Sequence, residues 1–216
     1  MADRKSYHQF CALARALDVV GDRWTLLIVR ELLLDARSFR ELQDGLDGIS
    51  PNLLTDRLRV LQEAGLVTRN NAPLRSKAVV YTLTDVGASL ENAVFELIRW
   101  GARWMASGPG TDRVEPRWSI LALRALLAEP VPGDSARRGV VHIDVDGTRL
   151  TIELGDGMRA VRTGHAGVAD ATVTANMPEL LAVASGMRDI DAALQIQGNR
   201  AAATDALSTV NHALEA

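Results

Sequence analysis

The sequence has almost no cysteine: Cys11 is the single thiol among 216 residues. One cysteine cannot form a disulfide within the chain, so a disulfide-stabilised fold is excluded and a reducing compartment is expected. No apolar run is long enough to cross a bilayer, and the first ten residues, MADRKSYHQF, lack the apolar segment of a secretory signal. We therefore expect a cytoplasmic protein that has no membrane partner.

Motifs for catalysis, metals and cofactors are also missing. The four histidines are scattered (His8, His142, His165 and His212), and only His8 and Cys11 have the spacing of paired metal ligands. The GDGM run at 155–158 predicts a turn rather than a phosphate loop, because no Gly-Lys-Ser/Thr follows it. We therefore predict no catalytic residues, no metal site, no cofactor and no enzymatic activity.

The chain as a whole lacks an excess of positive charge, since its net charge is -3. This balance excludes a uniformly basic nucleic-acid binder but allows a local basic patch. Residues 51–77 provide such a patch, with Arg57, Arg59, Arg69, Arg75 and Lys77 against only Asp56 and Glu63.

Residues 50–65 (SPNLLTDRLRVLQEAG) predict one helix with both ends marked. Ser50 can cap the first free N–H groups, Pro51 suits the first helical position, and Gly65 can take the left-handed conformation that closes a helix. An apolar stripe at helical spacing marks one face (Leu54, Leu58, Leu61), and polar residues mark the other (Asn52, Thr55, Asp56, Arg59, Glu63).

The neighbouring elements predict a winged helix-turn-helix with residues 50–65 as its recognition helix. Two helices, 10–20 and 23–34, come first; the second is capped by Asp22 and is apolar around most of its circumference. Ser38 and Glu41 form a capping box that starts a third helix. Two β-rich runs, 66–70 and 78–84, follow residue 65, and the connection NAPLRSK predicts an exposed hairpin tip.

The remaining elements predict an α+β fold with two domains. Thr84 and Asp85 are expected to cap a long helix from Ala88 to Met105 with an apolar stripe, and residues 107–115 are a linker by composition. The second half predicts helices and short strands, with hairpin turns at Asp146-Gly147 and Asp156-Gly157, arranged as an antiparallel sheet covered by helices on one side. We predict domains at 1–106 and 116–216.

The first half resembles the HxlR family of bacterial transcriptional regulators. The matching runs are CALARALDVVGDRWTLLIVREL, FRELQDGLDGISPNLLTDRLRVLQEAGLV and VVYTLTDVGASLE. This resemblance implies a winged helix-turn-helix homodimer whose terminal helices pair across a two-fold axis. The stripe of the long helix would supply that interface: Leu90, Val94, Leu97, Ile98, Trp100 and Trp104. The chain departs from the family pattern at Ala12, where proline usually follows the cysteine.

The second half is similar to a shortened sterol carrier protein-like domain, on the run ATVTANMPELLAVASGMRDIDAALQIQGN and a terminal helix. Asn199 replaces an aspartate that is common in that family. The resemblance implies an apolar small-molecule effector held between sheet and helices. The apolar residues at strand spacing are first of all a core, and a ligand cavity is a further hypothesis.

Double-stranded DNA is the expected partner of the first half. Arg59 is placed to bridge guanine, and Asn52 to bridge adenine or hold phosphate. The predicted DNA-binding residues are Arg37, Ser38, Ser50, Asn52, Thr55, Asp56, Arg59, Arg69, Arg75 and Lys77. The alternative is a set of solvent-exposed charges, and for Ser38 a helix cap.

Cys11 occupies the position at which redox-sensing HxlR members carry a reactive thiol. The alternative role for Cys11 is that of a small packing residue.

These patterns together predict a homodimeric repressor that binds an inverted-repeat operator and responds to an apolar ligand. Two alternatives remain: a thiol-based sensor acting through Cys11, and a lipid-binding protein whose helical half serves only for dimerisation.

Overall fold

The computed structural model describes residues 6–71, 79–105, 108, 110–115, 117–127, 138–155, 158–184 and 188–207. Its contacts divide the chain into an N-terminal unit, Met1–Val94, and a C-terminal unit, Phe95–Ala216. This division falls earlier than residue 106, where we expected the first domain to end. The domain boundaries drawn from the sequence remain a prediction.

The N-terminal unit is mainly helical. It contains helices α1 (Ala12–Val20), α2 (Thr25–Leu34), α3 (Phe39–Gly45), α4 (Pro51–Glu63) and α5 (Asp85–Ala88), and strands β1 (Arg37–Ser38), β2 (Val67–Asn71) and β3 (Val79–Leu83). The strands form an antiparallel sheet in the order β1-β3-β2, and β1 was not expected from the sequence. Helix α6 (Glu91–Ala102) begins in this unit and ends in the next.

The starts of the first two helices differ from the prediction. α1 begins at Ala12 rather than residue 10, because the Asp18 carboxylate accepts hydrogen bonds from the Ser6 hydroxyl and the Tyr7 N–H and turns the preceding chain back onto the helix. α2 begins at Thr25, and Asp22 does not cap it, since the Asp22 carboxylate pairs with Arg57 instead.

The core of the N-terminal unit follows the predicted apolar stripes. Leu54, Leu58 and Leu61 of α4 are buried and pack against Ile28 of α2 and Leu42 of α3. α2 is apolar around most of its circumference and buries Thr25, Ile28, Val29, Glu31 and Leu32, although Leu27 is exposed. The stripe on α4 therefore directs the opposite, polar face of that helix outward.

The long helix expected from Ala88 to Met105 is interrupted, which corrects that prediction. Thr84 accepts a hydrogen bond from the Gly87 N–H and caps the short helix α5, and the chain restarts as α6 at Glu91. Gly87 lies so close to β2 that an added Cβ would come within 2.0 Å of the Leu66 carbonyl oxygen. This close backbone approach holds α5 against the chain just before β2. α5 therefore ends at Ala88, and α6 begins separately at Glu91.

The C-terminal unit is a five-stranded sheet with helices on one face. After α7 (Trp118–Leu127) come β4 (Gly139–Val145), β5 (Thr148–Gly155), β6 (Met158–Thr163), β7 (Ala171–Ala175), α8 (Met177–Ala184), α9 (Ile190–Ala193), β8 (Gln195–Gly198) and α10 (Arg200–Leu207). The strand order is β6-β5-β4-β7-β8. Its inner face is an apolar core that includes the residues predicted for it: Val141, Ile143, Val145, Leu150 and Ile152, with Leu154 partly buried.

The sheet is mixed rather than antiparallel, which corrects the expected topology. β7 pairs parallel to β4, whereas the other neighbouring strands pair antiparallel. The cause is the connection 164–170, which crosses the outer face: the Ala166 N–H donates to the Thr151 hydroxyl, the His165 ring stacks on His142 at 4.0 Å, and the Asp170 N–H donates to the Val140 carbonyl. The crossing lets β7 start at the same end of the sheet as β4.

Turns and caps in the C-terminal unit follow their residue types. Asp146 and Gly147 both have positive φ, as the predicted two-residue hairpin requires. The second predicted turn, Asp156-Gly157, lies outside the described residues. Asn199 accepts a hydrogen bond from the Ala202 N–H at the start of α10.

In the described part of the chain, no helix combines the length and apolar character needed to span a membrane.

Candidate nucleic-acid interface

The candidate interface is built from α3, the turn after it, α4 and the β2–β3 hairpin. Ser38 caps α3 in a full capping box: its hydroxyl accepts from the Glu41 N–H at 3.3 Å, and the Glu41 carboxylate accepts from the Ser38 N–H at 2.8 Å. Ser50 caps α4 by accepting from the Leu53 N–H at 3.3 Å. Both serines were predicted at helix starts, and their side-chain oxygens are committed to that role.

Gly65 closes α4 and begins the hairpin. Its φ is +72°, in the left-handed region that glycine favours. The hairpin register pairs Val67 with Leu83 and Asn71 with Val79, so the wing is in place beside the helix as expected. The predicted tip residues Arg75 and Lys77 lie outside the described residues.

The outward face of α4 carries the residues predicted to meet DNA. Asn52 and Thr55 are exposed, and the Thr55 hydroxyl donates to the Pro51 carbonyl at 2.8 Å. The Arg59 side chain is 43% exposed. The first turns of the helix therefore present an amide and a hydroxyl, followed one turn later by a guanidinium.

Arg59 is held between two carboxylates of its own helix. Its Nη2 donates to Asp56 Oδ1 at 2.8 Å and its Nη1 to Glu63 Oε1 at 2.6 Å. The hydrogen bond from Arg59 lowers the pKa of Asp56 below its ordinary value, while the bonds to Asp56 and then Glu63 raise the pKa of Arg59. Arg59 and Asp56 are therefore fully charged at neutral pH.

Arg57 is fixed differently, and sequence reasoning missed its partner. Its side chain is mostly buried and pairs with Asp22, which precedes α2. This ion pair joins α4 to a segment 35 residues earlier in the chain. A pairing over that distance leaves no local signal in the sequence.

The two remaining predicted basic contacts lie on the sheet of the wing. The strand register places Arg37 of β1 and Arg69 of β2 on either side of Tyr81 in β3. Arg69 is exposed, whereas Arg37 is mostly buried and lies 3.6 Å from the Glu41 carboxylate. Cross-strand partners share a face of a sheet, so these two arginines flank one tyrosine, an arrangement that the sequence did not reveal.

The residues predicted for dimerisation divide into two groups. Leu90 packs against the N-terminal core and Val94 is buried. Leu97, Trp100 and Trp104 are exposed at 48%, 56% and 61%. The indole rings of Trp100 and Trp104 meet edge to face at 4.5 Å, and Ile98 is partly buried beside them in the chain. Cys11 is exposed and occupies the N-cap position of α1, because the helix begins at Ala12 and not at residue 10 as expected.

A family model described as HxlR-like helix-turn-helix matches residues 19–109 of this chain. An uncharacterised HTH-type transcriptional regulator of Mycobacterium tuberculosis H37Rv is 38% identical over 142 residues, which cover 58% of this chain and 89% of that protein. The chain belongs to the HxlR-like helix-turn-helix family.

Two further similar proteins come from Bacillus subtilis. The uncharacterised regulator YvaP is 33% identical over 91 residues, covering 42% of this chain and 84% of YvaP. The structure of the reduced form of the regulator YodB is 28% identical with a TM-score of 0.39, covering 46% of this chain and 99% of that one. The predicted class, a DNA-binding transcriptional regulator and not an enzyme, is confirmed by the family and by the regulators named in it.

Proposed function

We propose that the protein is a homodimeric repressor that binds an inverted-repeat operator. The observation that carries the proposal is the outward face of α4, capped by Ser50 and flanked by the β2–β3 wing, in a chain of a helix-turn-helix family. Two such helices in a symmetric dimer enter successive major grooves, so the half-sites lie about one helical turn, roughly 10 base pairs, apart. Such a regulator works in the bacterial cytoplasm, where its DNA target lies.

The side chains of the candidate interface divide into those that would contact bases and those that would contact the DNA backbone. Arg59 and Asn52 have the donor patterns that read guanine and adenine edges. We expect Thr55 and the exposed Arg69 to contact the DNA backbone, together with Arg37 and, on the sequence pattern alone, Arg75 and Lys77. Ser38 and Ser50 act through the helix starts that they cap, where free N–H groups favour phosphate.

The test of this proposal is binding to the DNA upstream of the protein's own gene, compared with random DNA across a salt series. We expect tight, preferential binding to the upstream DNA, with affinity falling by about 0.9 log units per log unit of salt for each phosphate contact. Equal, weak binding to both DNAs would contradict the proposal.

A pair of substitutions separates the regulator from a lipid-binding protein with a helical dimerisation half. Arg59→Ala with Arg75→Ala should abolish the preference for upstream DNA without unfolding the protein. Arg200→Ala is the matched control, because Arg200 is an exposed arginine paired with a carboxylate in the C-terminal unit. If the double substitution and the control have the same effect on DNA binding, the result would favour the lipid-binding alternative.

Self-association is proposed through the exposed part of α6. Leu97 and Trp100 of α6 and Trp104 just after its end form an apolar surface, and the Arg103 guanidinium lies 5.7 Å from the Trp104 ring. Aromatic side chains with an arginine are typical of the centre of protein interfaces.

Control by an apolar effector is proposed for the C-terminal unit. The support is its helix-covered sheet with an apolar inner face and its resemblance to sterol carrier protein-like domains. Medium-chain fatty acids and sterols, tested at constant salt, should change the affinity for upstream DNA. No change with any apolar compound would remove this part of the proposal.

Thiol control through Cys11 is the second candidate, because the thiol is exposed at a helix N-cap. Oxidant should then release the wild-type protein from DNA but not the Cys11→Ser variant. Equal release of both proteins would exclude the thiol as the sensor.

A further inference from the structure

The charged side chains around α4 form a chain of alternating sign. It runs from Asp22 to Arg57, from Arg57 to Asp56 at 3.9 Å, from Asp56 to Arg59 at 2.8 Å, and from Arg59 to Glu63 at 2.6 Å. Both arginines of the helix are thus paired with carboxylates of the protein itself. These five side chains comprise three carboxylates and two guanidinium groups, so together they carry a net charge of -1.

This arrangement opposes indiscriminate DNA binding. Non-specific affinity comes from basic side chains that neutralise phosphates, and a guanidinium already neutralised by a carboxylate adds little to it. Carboxylates near the DNA also repel the phosphate backbone. Arg59 therefore contributes to binding only when it leaves at least one of its two partners.

Glu63 is the partner that Arg59 can leave most easily. Glu63 is the last residue of α4 and is 56% exposed, whereas Asp56 lies about one turn nearer the helix start than Arg59 and is also 3.9 Å from Arg57. Recognition helices contact base edges mainly through their N-terminal part. A movement of the guanidinium toward the bases is therefore a movement away from Glu63.

We propose that Glu63 is a specificity-determining residue that keeps Arg59 off the phosphate backbone until a guanine edge offers two acceptors. This inference rests on the proposed function as a DNA-binding regulator. An exposed ion pair within a helix is weak, so a bidentate contact with guanine O6 and N7 can replace it. A single contact with a solvated phosphate compensates less well for the loss of that ion pair. On random DNA, Arg59 therefore remains paired with Glu63.

The experiment measures full-length Glu63→Gln on upstream and random DNA across a salt series. We expect affinity for random DNA to rise about two- to fivefold, the equivalent of one released surface ion pair. The salt dependence on random DNA should steepen by about 0.9 for each protomer that gains a phosphate contact. Affinity for upstream DNA should change less, so the ratio of the two affinities falls.

Glu96→Gln is the matched control. Glu96 is an exposed glutamate whose carboxylate pairs with Arg99 at 2.5 Å on α6, so the substitution removes the same charge and a similar ion pair from a different helix. Glu63→Gln combined with Arg59→Ala provides the second control, because without the guanidinium the substitution should no longer steepen the salt dependence.

The outcomes separate this inference from the proposed function. If the wild type does not prefer upstream DNA, the proposed function fails and the role of Glu63 fails with it. If the wild type shows the preference and Glu63→Gln leaves the affinity ratio unchanged, only the role of Glu63 is overturned. An equal gain in the Arg59→Ala background, or with Glu96→Gln, would also overturn it, since the gain would then be a general effect of charge.

Discussion

At the scale of single residues, Asp18 fixes the chain that precedes α1. Its carboxylate accepts from the Tyr7 N–H at 2.8 Å and from the Ser6 hydroxyl at 3.1 Å, and it lies 3.4 Å from Arg15. The hydrogen bond from the Tyr7 backbone is the main reason that the pKa of Asp18 is lowered from its ordinary value of 3.8. A lowered pKa in the folded protein means that the interaction stabilises the fold above the ordinary value.

The contribution of Asp18 should therefore be present at neutral pH and disappear as the pH falls below 3.8 through the lowered pKa. The Tyr7 amide resonance should titrate over that range in the wild type. In Asp18→Asn it should be shifted at neutral pH and should no longer titrate. Asp44→Asn, which removes an exposed carboxylate from α3, serves as the control. A Tyr7 amide that does not titrate in the wild type would contradict the assignment.

Residue types predicted the caps of α3 and α4 but not the ion pairs between elements. Ser38, Ser50 and Gly65 act where the sequence placed them, because caps and left-handed closures depend on neighbours three or four residues away. Asp22 was expected to cap α2 and instead pairs with Arg57. That choice depends on how α2 and α4 pack, which local sequence does not encode.

At the scale of elements, Gly87 determines where α5 packs. An added Cβ would lie 2.0 Å from the Leu66 carbonyl oxygen, and this backbone atom cannot move aside without displacing β2. Gly87→Ala should therefore destabilise the protein by about 1–3 kcal/mol, the usual cost of overpacking.

Gly101→Ala is the control, since a Cβ at Gly101 in α6 meets nothing within 4 Å. Alanine should be neutral there or stabilise the helix by about 0.5–1 kcal/mol, because glycine is unfavourable in helix interiors. The midpoints of thermal unfolding of the two variants test this prediction. Equal midpoints would show that α5 is not held by this contact.

The elements that the sequence missed are those defined by distant partners. β1 has only two residues and exists because Arg37 and Ser38 pair with Tyr81 and Val80 of β3. The parallel pairing of β7 with β4 likewise depends on the crossing connection over Thr151 and His142. The strands themselves were predicted, because the alternation that places Val141, Ile143 and Val145 on one face is local.

At the scale of the whole molecule, family resemblance predicted the N-terminal half more fully than the C-terminal half. The capped α3, the turn and α4 are all marked by residues with specific roles, and the family match covers them. The C-terminal half is marked mainly by alternation. Alternation predicts which side chains face inward, but a packed core and a ligand-binding face share that pattern.

The last prediction concerns assembly. If the exposed face of α6 joins two copies, Trp100→Ala with Trp104→Ala should convert the dimer to a monomer in sedimentation equilibrium. Each monomer then engages one half-site, so affinity for the operator should fall by about 10²-fold or more through loss of the second, linked contact. Val168→Ala, at a 92% exposed apolar residue of the sheet crossing, should change neither measurement. A variant that remains dimeric and still loses operator binding would place the dimer contact elsewhere, since the tryptophans would then act on DNA recognition without joining the subunits.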